Sequence, residues 1–454
     1  MGLNELIKKY STSGPRYTSY PTAPQWVETL GIDSYHQQLK KSFTGNSEPI
    51  ALYVHLPFCE ALCYYCGCNI QITKDHSRSG PYLEALIREM KTVTEVIGTR
   101  QSLSQIAWGG GTPTFMSPKE IEELHHATLR FFDLAEGAEV SIEIDPRVTN
   151  REQLATLRRL GFNRVSLGVQ DFNEDVQKAI NRIQSVQLTG DMLNYCRELG
   201  FEGINFDLIY GLPLQTRDSF HRTLEQVIKL RPDRIALYNY AHLPSLRPHQ
   251  KIMDKFARPE SEDRLAIFLD GYQEFTKNGY KSIGMDHFAL ENDELFRAIK
   301  KETLYRNFQG YTVKRGAGMI GIGASAIGEV GGSYFQNIRE VKGYEESVSS
   351  KGLATFRGLL LTREDEERKW VIQQLMCKFV LRFPVYQARF GKNFTEQFKK
   401  EIEGLNDFIS EGILSVNSDG IFISDLGRLF IRNVAMVFDA YLSLPNKATY
   451  SKTL

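Results

Sequence analysis

Three stretches, LRRLGFNRVSLGVQ, CRELGFEGINFDLIYGLP and FTKNGYKSIGMDHF, share one plan: a polar, helix-like segment stops at a glycine, then an aromatic residue and a short β-rich run follow. Gly161 and Gly200 lie 39 residues apart and Gly279 a further 79 on, one unit and two. The missing middle unit is IKLRPDRIALYNY, where Pro232 takes over as the helix stop. Glycine suits the left-handed position just past a helix end. Units of about 40 residues with one helix and one strand each imply parallel β/α repeats. Earlier strand candidates are ALYVHL (51–56), SQIAW (104–108) and AEVSIEID (138–145). Between the first two, Leu83, Leu86, Ile87 and Met90 keep helical spacing. With RVSLGV, GINFDLI, RIALYNY and KSIGMD this makes six or seven strands over residues 50–285. The expected fold is α/β, a partial TIM-like (β/α) barrel with its chemistry at the strands' C-terminal ends. A doubly wound open sheet is the competing layout.

The ends of the chain read differently. SGPRYTSYPTAPQW, rich in Pro, Ser, Thr and Tyr, marks an irregular N-terminal arm over 1–35; the barrel domain is expected over 36–355 and a smaller, mostly helical domain over 356–454. There REDEERKWVIQQLMCKFVL and NFTEQFKKEIEGLNDFI look like amphipathic helices, and ILSVNSDGIFIS like a hairpin turning at Asp419-Gly420. Helices followed by a hairpin suggest a winged-helix-like fold. Mixed charge there, and 55 basic against 55 acidic residues in the chain, argue against a nucleic-acid partner. MGLNELIKKY lacks the apolar core of a signal peptide and has Leu6 where myristoylation wants Ser or Thr. No run of about 18 apolar residues predicts a membrane span. A cytoplasmic protein is expected.

Four of the six cysteines crowd into PFCEALCYYCGC: Cys59, Cys63, Cys66 and Cys68. A disulfide framework belongs in small secreted domains, so crowded thiols here imply a metal. Structural zinc usually takes two well-separated ligand pairs, whereas Cys66 and Cys68 are one residue apart. His55 is a possible zinc ligand or, in its β-like run, a packed and hydrogen-bonded histidine. Ferredoxin-type spacings are absent. Three thiolates on a cubic iron–sulfur cluster fit better and leave one iron open for chemistry. Cys196 and Cys377 sit in helical, apolar patterns and read as packing residues. GAGMIG (316–321) has the dinucleotide spacing without its strand–helix context and reads as a tight loop near the cofactor cavity.

The motif C-x3-C-x-aromatic-C, with Tyr65 as the aromatic, resembles the signature of the radical S-adenosylmethionine (SAM) superfamily, whose fold is the partial barrel. GPRYTSYPT, YVHLPFCEALCYYCGC, WGGGTPT, SIEIDPR, NRVSLGVQDF, NFDLIYGLP, YNYAHLP, GMDHFA, FQGYT and GRLFIRN resemble the oxygen-independent coproporphyrinogen III oxidase (coproporphyrinogen dehydrogenase) family over nearly the whole chain. The resemblance implies anaerobic oxidative decarboxylation of two propionates of coproporphyrinogen III to vinyl groups by a 5′-deoxyadenosyl radical, forming protoporphyrinogen IX in haem biosynthesis. It implies one [4Fe-4S] cluster on Cys59, Cys63 and Cys66, with Cys68 an extra, non-ligating cysteine, and two SAM molecules. Tyr53, Gly110 and Glu143 match the first SAM site. Tyr65, Gly111, Thr112, Gln170, Arg182, Asp207, Ala241 and Ile327 match the second. The substrate carries four carboxylates, and Arg16, Tyr17, Tyr20 and Cys68 are the candidate substrate contacts. A reduced flavodoxin- or ferredoxin-type donor and a monomer are implied, with no membrane partner. Two rivals stand beside this reading. A haem-chaperone-like relative lacks the GPRYTSYPT arm and has Phe at the Cys68 position; a radical enzyme acting on tRNA should carry a basic appendage.

Overall fold

The computed structural model describes residues 2–443 and 450–453; Met1 of the expected arm, and 444–449 and 454 of the expected C-terminal domain, lie outside the described residues. The chain forms two compact units, a core unit of Val27–Tyr280 with Lys314–Leu360, and a terminal unit of Met1–Trp26, Lys281–Val313 and Leu361–Leu454.

The core unit carries out the repeat. Strands β1 (Ile50–Leu56), β2 (Ser102–Gly110), β3 (Asp133–Ile144), β4 (Arg164–Gln170), β5 (Gly203–Tyr210) and β6 (Arg234–Asn239) are separated by helices. These are α1 (Ser79–Ile97), α2 (Pro118–Phe131), α3 (Arg151–Arg159), α4 (Val186–Glu198) and α5 (Arg217–Leu230), with α6 (Ser261–Lys277) after β6. Capping boxes at Ser117, Asn150 and Thr216 open α2, α3 and α5. Gly161, Gly200 and Gly279 close their helices at φ +95°, +82° and +91°. In the Pro232 unit it is Arg231 that takes the left-handed position, at φ 54°; proline then bars a further turn.

Each strand from β1 to β6 pairs in parallel with the next, in sequential order. A doubly wound sheet would reverse direction at a switch point, so that layout is excluded. On the other side of β1 lies β7 (Met319–Ile322), also parallel, followed by antiparallel β8 (Ile327–Val330), β9 (Ser333–Asn337) and β10 (Thr355–Leu359). The sheet's two faces differ in chemistry. Val54, Trp108, Ile142, Val165, Leu167, Phe206 and Leu208 are buried, and Trp108 meets Phe162, which also contacts His125 of α2. Tyr53, His55, Gly109, Glu143, Ser166, Gly168, Asn205 and Asp207 occupy the alternate positions. Parallel strands covered on both faces are usually apolar throughout; here one face carries polar and small residues instead.

Only the first half of GAGMIG is a loop: Met319–Gly321 enter β7, where Gly321 pairs with Tyr53 of β1. A Cβ on Gly316 would stand 2.9 Å from the Pro49 carbonyl oxygen, at the start of β1 and thus the strand end away from the cysteines. Its small residues let the loop before β7 lie against β1.

In the terminal unit the arm begins as a helix, Leu3–Tyr10, and then becomes irregular. Arg432 of GRLFIRN clamps it, donating from Nε to Pro15 O (3.0 Å) and from Nη2 to Gly14 O. The segment 281–313, expected inside the barrel domain, packs in this unit; Arg16 of the arm pairs with Asp286. The helix Arg363–Lys378 forms as expected, but NFTEQFKKEIEGLNDFI breaks into Phe394–Gln397, Lys399–Glu403 and Asn406–Ser410 because Phe398 leaves helical geometry and Gly404 follows. The hairpin pairs Val416 with Ile421 and closes with the Asn417 amide donating to Gly420 O at 3.0 Å, so its turn centres on Ser418-Asp419, one residue earlier than expected. Gly420 is required because a Cβ would stand 2.0 Å from Leu381 O.

Candidate functional site

Beyond β1 the chain enters the cysteine loop, which is pinned on both flanks. Phe58–Cys59 pairs with Gln71–Ile72, and the Gln71 amide donates to Pro57 O at 2.8 Å. Tyr64 donates its amide to Ile180 O at 3.0 Å, while Tyr64 and Tyr65 pack against Val176, Ile180, Leu212, Tyr240 and Met253. Three successive carbonyls are held from beyond β6. Gln250 Nε2 donates to Tyr65 O (3.0 Å), His249 Nε2 to Cys66 O (2.8 Å), and Arg247 Nε and Nη2 to Gly67 O (2.9 and 2.7 Å). Gln250 also reaches Ala241 O at 3.3 Å. A loop so tied presents its thiols in one fixed arrangement.

The thiols sit in distinct surroundings. Cys63 is buried and accepts from Arg147 Nη2 at 3.4 Å and Arg182 Nη1 at 3.7 Å. Cys59 Sγ is 3.4 Å from Thr112 Oγ1, and burial pushes its thiol up to about 12. A hydrogen bond from Cys68 holds Cys66 down, to about 7. Among the described residues no three His, Cys, Asp or Glu side chains close around a point as they would on a single ion. Three thiols of one loop, two guanidiniums beside the innermost and an accessible fourth cysteine form a donor set that fits a multi-iron cluster with three protein ligands. His55 is committed elsewhere. Its Nε2 meets Asn69 O at 2.8 Å and its Nδ1 the Tyr53 hydroxyl at 3.0 Å. Burial lowers it to about 4, so the imidazole is neutral, donating from Nε2 and accepting at Nδ1.

WGGGTPT runs beneath this loop. A Cβ on Gly109 would stand 2.8 Å from the Glu143 carboxyl carbon, on Gly110 2.4 Å from the His55 ring, and on Gly111 2.6 Å from the Pro57 carbonyl carbon. Gly110 also has φ +114°, a backbone state open to glycine. Its amide donates to Glu143 Oε2 at 3.1 Å, and Thr112 donates its amide to Phe58 O at 2.9 Å. Glu143 is accessible to water, yet desolvation raises its carboxyl to about 7, with Asp207 adding in the same sense. An accessible but poorly hydrated carboxyl is the mark of a side chain lining a cavity.

A second group gathers at the ends of β3 and β4. Arg182 Nη1 donates to Asp145 Oδ2 at 2.9 Å and Nη2 to Gly168 O at 2.7 Å, leaving a buried Nε without a partner. Arg147 grips the same carboxylate, Nη2 to Oδ2 at 2.6 Å. Burial opposes ionisation of Asp145, but the two guanidiniums outweigh it and hold the carboxyl below its usual range. Gln170 ends β4 at φ 67°, and a Cβ on Gly168 would meet both its amide and Arg182 at 2.9 Å. Asp207 accepts from Ser166 Oγ and Asn205 Nδ2, each at 2.9 Å.

The sequence-derived residues therefore fall into place unequally. Cys59, Cys63, Cys66, Thr112, Gly110, Gly111, Glu143, Tyr53, Gln170 and Arg182 are joined by direct contacts or common neighbours. Ala241 joins Tyr65 through Gln250. Ile327 stands on the far side of β7, where its carbonyl crowds Gly321. Of the candidate substrate contacts, Tyr17 donates to Asp439 Oδ2 (3.0 Å) and Tyr20 accepts from the Ala440 amide (3.2 Å); both are buried and hold the arm. Sequence reasoning missed Asp145, Arg147, Asn69, Arg247, His249 and Gln250 as supports. Only the first two carried a signal, in SIEIDPR.

A Radical SAM superfamily model matches residues 53–227 and a HemN C-terminal domain model residues 361–430. The chain is 43% identical over 453 residues to an oxygen-independent coproporphyrinogen III oxidase of Pseudomonas aeruginosa, covering 99% of this chain and 98% of that one. To the protein of that name from Escherichia coli it is 42% identical over 437 residues, 96% of this chain and 95% of the other. The solved structure of coproporphyrinogen III oxidase (HemN) from Escherichia coli, described as a radical SAM enzyme, superposes with a TM-score of 0.91 at 40% identity, covering 96% of this chain and 98% of that one.

Proposed function

The chain belongs to the oxygen-independent coproporphyrinogen III oxidase family of radical SAM enzymes, and from that membership we infer its reaction and the division of labour among its residues. It is an oxidoreductase of porphyrin and haem biosynthesis that converts two propionates of coproporphyrinogen III to vinyl groups, giving protoporphyrinogen IX. The observation that carries this is similarity over essentially the full length of the oxidases, from arm to last domain. The haem-binding alternative has no support among these relatives. Per propionate, one β-hydrogen atom, one carbon dioxide and one electron leave. The cofactors are a [4Fe-4S] cluster and SAM, which when bound supply the electron and the hydrogen-atom acceptor.

The residues' roles follow from their chemistry. Cys59, Cys63 and Cys66 hold the cluster, while Arg147 and Arg182 offset thiolate charge at Cys63 and Asp145 fixes both arginines. Cys68 stays unligated. Tyr53, Gly110 and Glu143 line the first SAM, where the Glu143 carboxylate suits ribose hydroxyls. Tyr65, Gly111, Thr112, Gln170, Arg182, Asp207, Ala241 and Ile327 line the second. Glycines crowded against neighbouring side chains keep water out and set distances, where a misplacement of about 1 Å costs on the order of 100-fold in rate. Arg16 is a substrate-side cation, with Tyr17 and Tyr20 ordering the arm that carries it. The chain acts as a cytoplasmic monomer served by a reduced flavodoxin- or ferredoxin-type donor, without nucleic-acid or membrane partners. Balanced charge supports the absence of a nucleic-acid partner, and among the described residues no helix is long and apolar enough to cross a membrane.

Anaerobic reconstitution with iron, sulfide, SAM and reduced flavodoxin tests the reaction. Coproporphyrinogen III should gain two vinyl groups as 5′-deoxyadenosine accumulates. Unchanged porphyrinogen together with stable haem binding would install the alternative.

A further inference from the structure

In the terminal unit a short hairpin, Tyr305–Asn307 with Gly310–Thr312, sets Arg306 directly opposite Tyr311. Arg306 is only 5% exposed. Its guanidinium carbon lies 4.7 Å from the centroid of the Tyr311 ring, and its Nε and Nη1 are buried with no hydrogen-bond partner. The His287 ring meets the same tyrosine edge-on at 5.4 Å. His287 Nδ1 is 2.8 Å from Asp286 Oδ1, and Asp286 Oδ2 pairs with Arg16.

The charges in this cluster do not balance. Among the described residues Asp286 is the carboxylate these side chains pair with, and Arg16 and His287 share it. Arg306 keeps a buried positive charge whose ring contact answers only its face. Buried guanidinium N–H groups without acceptors are costly and call for an acceptor, a water or an anion, to complete them. The enzyme's substrate carries four carboxylates, and two of its propionates survive the reaction intact. Building on the function inferred above, we propose that Arg306, seated on Tyr311 beside the Asp286–His287 pair, receives one propionate carboxylate of the porphyrinogen substrate.

The test compares wild type, Arg306→Gln and Arg306→Lys in the reconstituted full chain. Fluorescence quenching gives the affinity for coproporphyrin III and for its tetramethyl ester, the same ring without carboxylates; steady-state assays give KM and kcat for coproporphyrinogen III. Arg306→Gln should weaken coproporphyrin III binding and raise KM roughly 10- to 100-fold, leave ester binding unchanged, and retain the wild-type circular dichroism. Arg306→Lys should fall between the two. Wild-type affinity and KM in a folded Arg306→Gln protein overturn the subsite; should that variant fail to fold, wild-type KM in Arg306→Lys does so. A wild type that binds coproporphyrin III but forms no vinyl product overturns the functional reading alone, since the binding comparison still decides the subsite.

Discussion

Arg182 stands 2.9 Å from Asp145, Nη1 to Oδ2, and the same nitrogen reaches the Cys63 sulfur at 3.7 Å. One carboxylate at the end of β3 thus aims a guanidinium at a thiol, with Arg147 gripping from the other side. Asp145→Asn would leave the buried Arg182 and the half-buried Arg147 guanidiniums facing each other, at a cost of about 3 kcal/mol, measurable by urea denaturation at pH 7. The sign of the pH effect is fixed by the lowered carboxyl. Its contribution is complete above the unfolded value of about 4 and fades as pH falls through the lower folded value. The gap between wild type and variant should therefore narrow in acid.

Glu89 on α1 gives the opposite sign. It is fully buried and accepts from the Gly323 amide (2.9 Å), Tyr344 hydroxyl (2.7 Å) and Asn337 Nδ2 (2.7 Å). Burial outweighs these donors and raises its carboxyl to about 7. A raised carboxyl binds its proton more tightly when folded. Its contribution is full below about pH 4 and is lost as pH climbs towards 7, a fall on the order of 3 kcal/mol. Glu89→Gln should flatten that part of the stability–pH curve.

Gly110 and Gly98 separate crowding from backbone preference. Gly98 ends α1 at φ +77° with nothing within 4 Å of an added Cβ, so Gly98→Ala should cost about 1 kcal/mol. Gly110→Ala adds a clash at 2.4 Å with a histidine already locked by two hydrogen bonds. About 3 kcal/mol or more is expected, with activity lost as well. Equal melting shifts for the two variants would contradict this.

The repeat was legible because every unit repeats the same local physics: a left-handed stop, then a half-buried strand. The cysteine loop was legible for a different reason, since four thiols in ten residues have few structural uses. What escaped was support from a distance. Gln250, His249 and Arg247 hold three carbonyls of the loop from about 180 residues away, and their local sequence, LRPHQ, gives no sign of that partner. Arg306 likewise lies in a bland YRN, and only the burial of its unpartnered nitrogens distinguishes it. The helix expected over 393–409 failed because periodicity continued through Phe398, where the backbone does not.

The cysteines sort by metal content. Cys59→Ser, Cys63→Ser and Cys66→Ser should each lower iron and labile sulfide per chain after anaerobic reconstitution. Cys68→Ser should retain them, because Cys68 meets Cys66 only through a hydrogen bond. Loss of iron in Cys68→Ser equal to that in Cys66→Ser would make it a ligand.

Arg432 decides whether the arm is ordered. It is 5% exposed and satisfies carbonyls at Gly14, Pro15 and Lys452, the last at 2.8 Å from Nη1. The chain around Gly14 has only a short antiparallel bridge, Ser13 with Lys452, so these bonds supplement sparse backbone pairing. Asn433 adds a bond to Tyr10 O at 2.8 Å, and Tyr10 stacks on Phe408 at 4.7 Å. Arg432→Met preserves much of the side chain's bulk but removes all three carbonyl contacts, each a charged hydrogen bond worth about 1.5–3 kcal/mol. The arm should loosen locally while the barrel, whose contacts lie elsewhere, stays folded. Limited trypsin digestion should then cut at Lys8, Lys9 or Arg16 well before the wild type is cut there, with near-normal iron content. Protection equal to wild type would mean that Tyr17, Tyr20 and the Tyr10–Phe408 stack suffice to hold the arm.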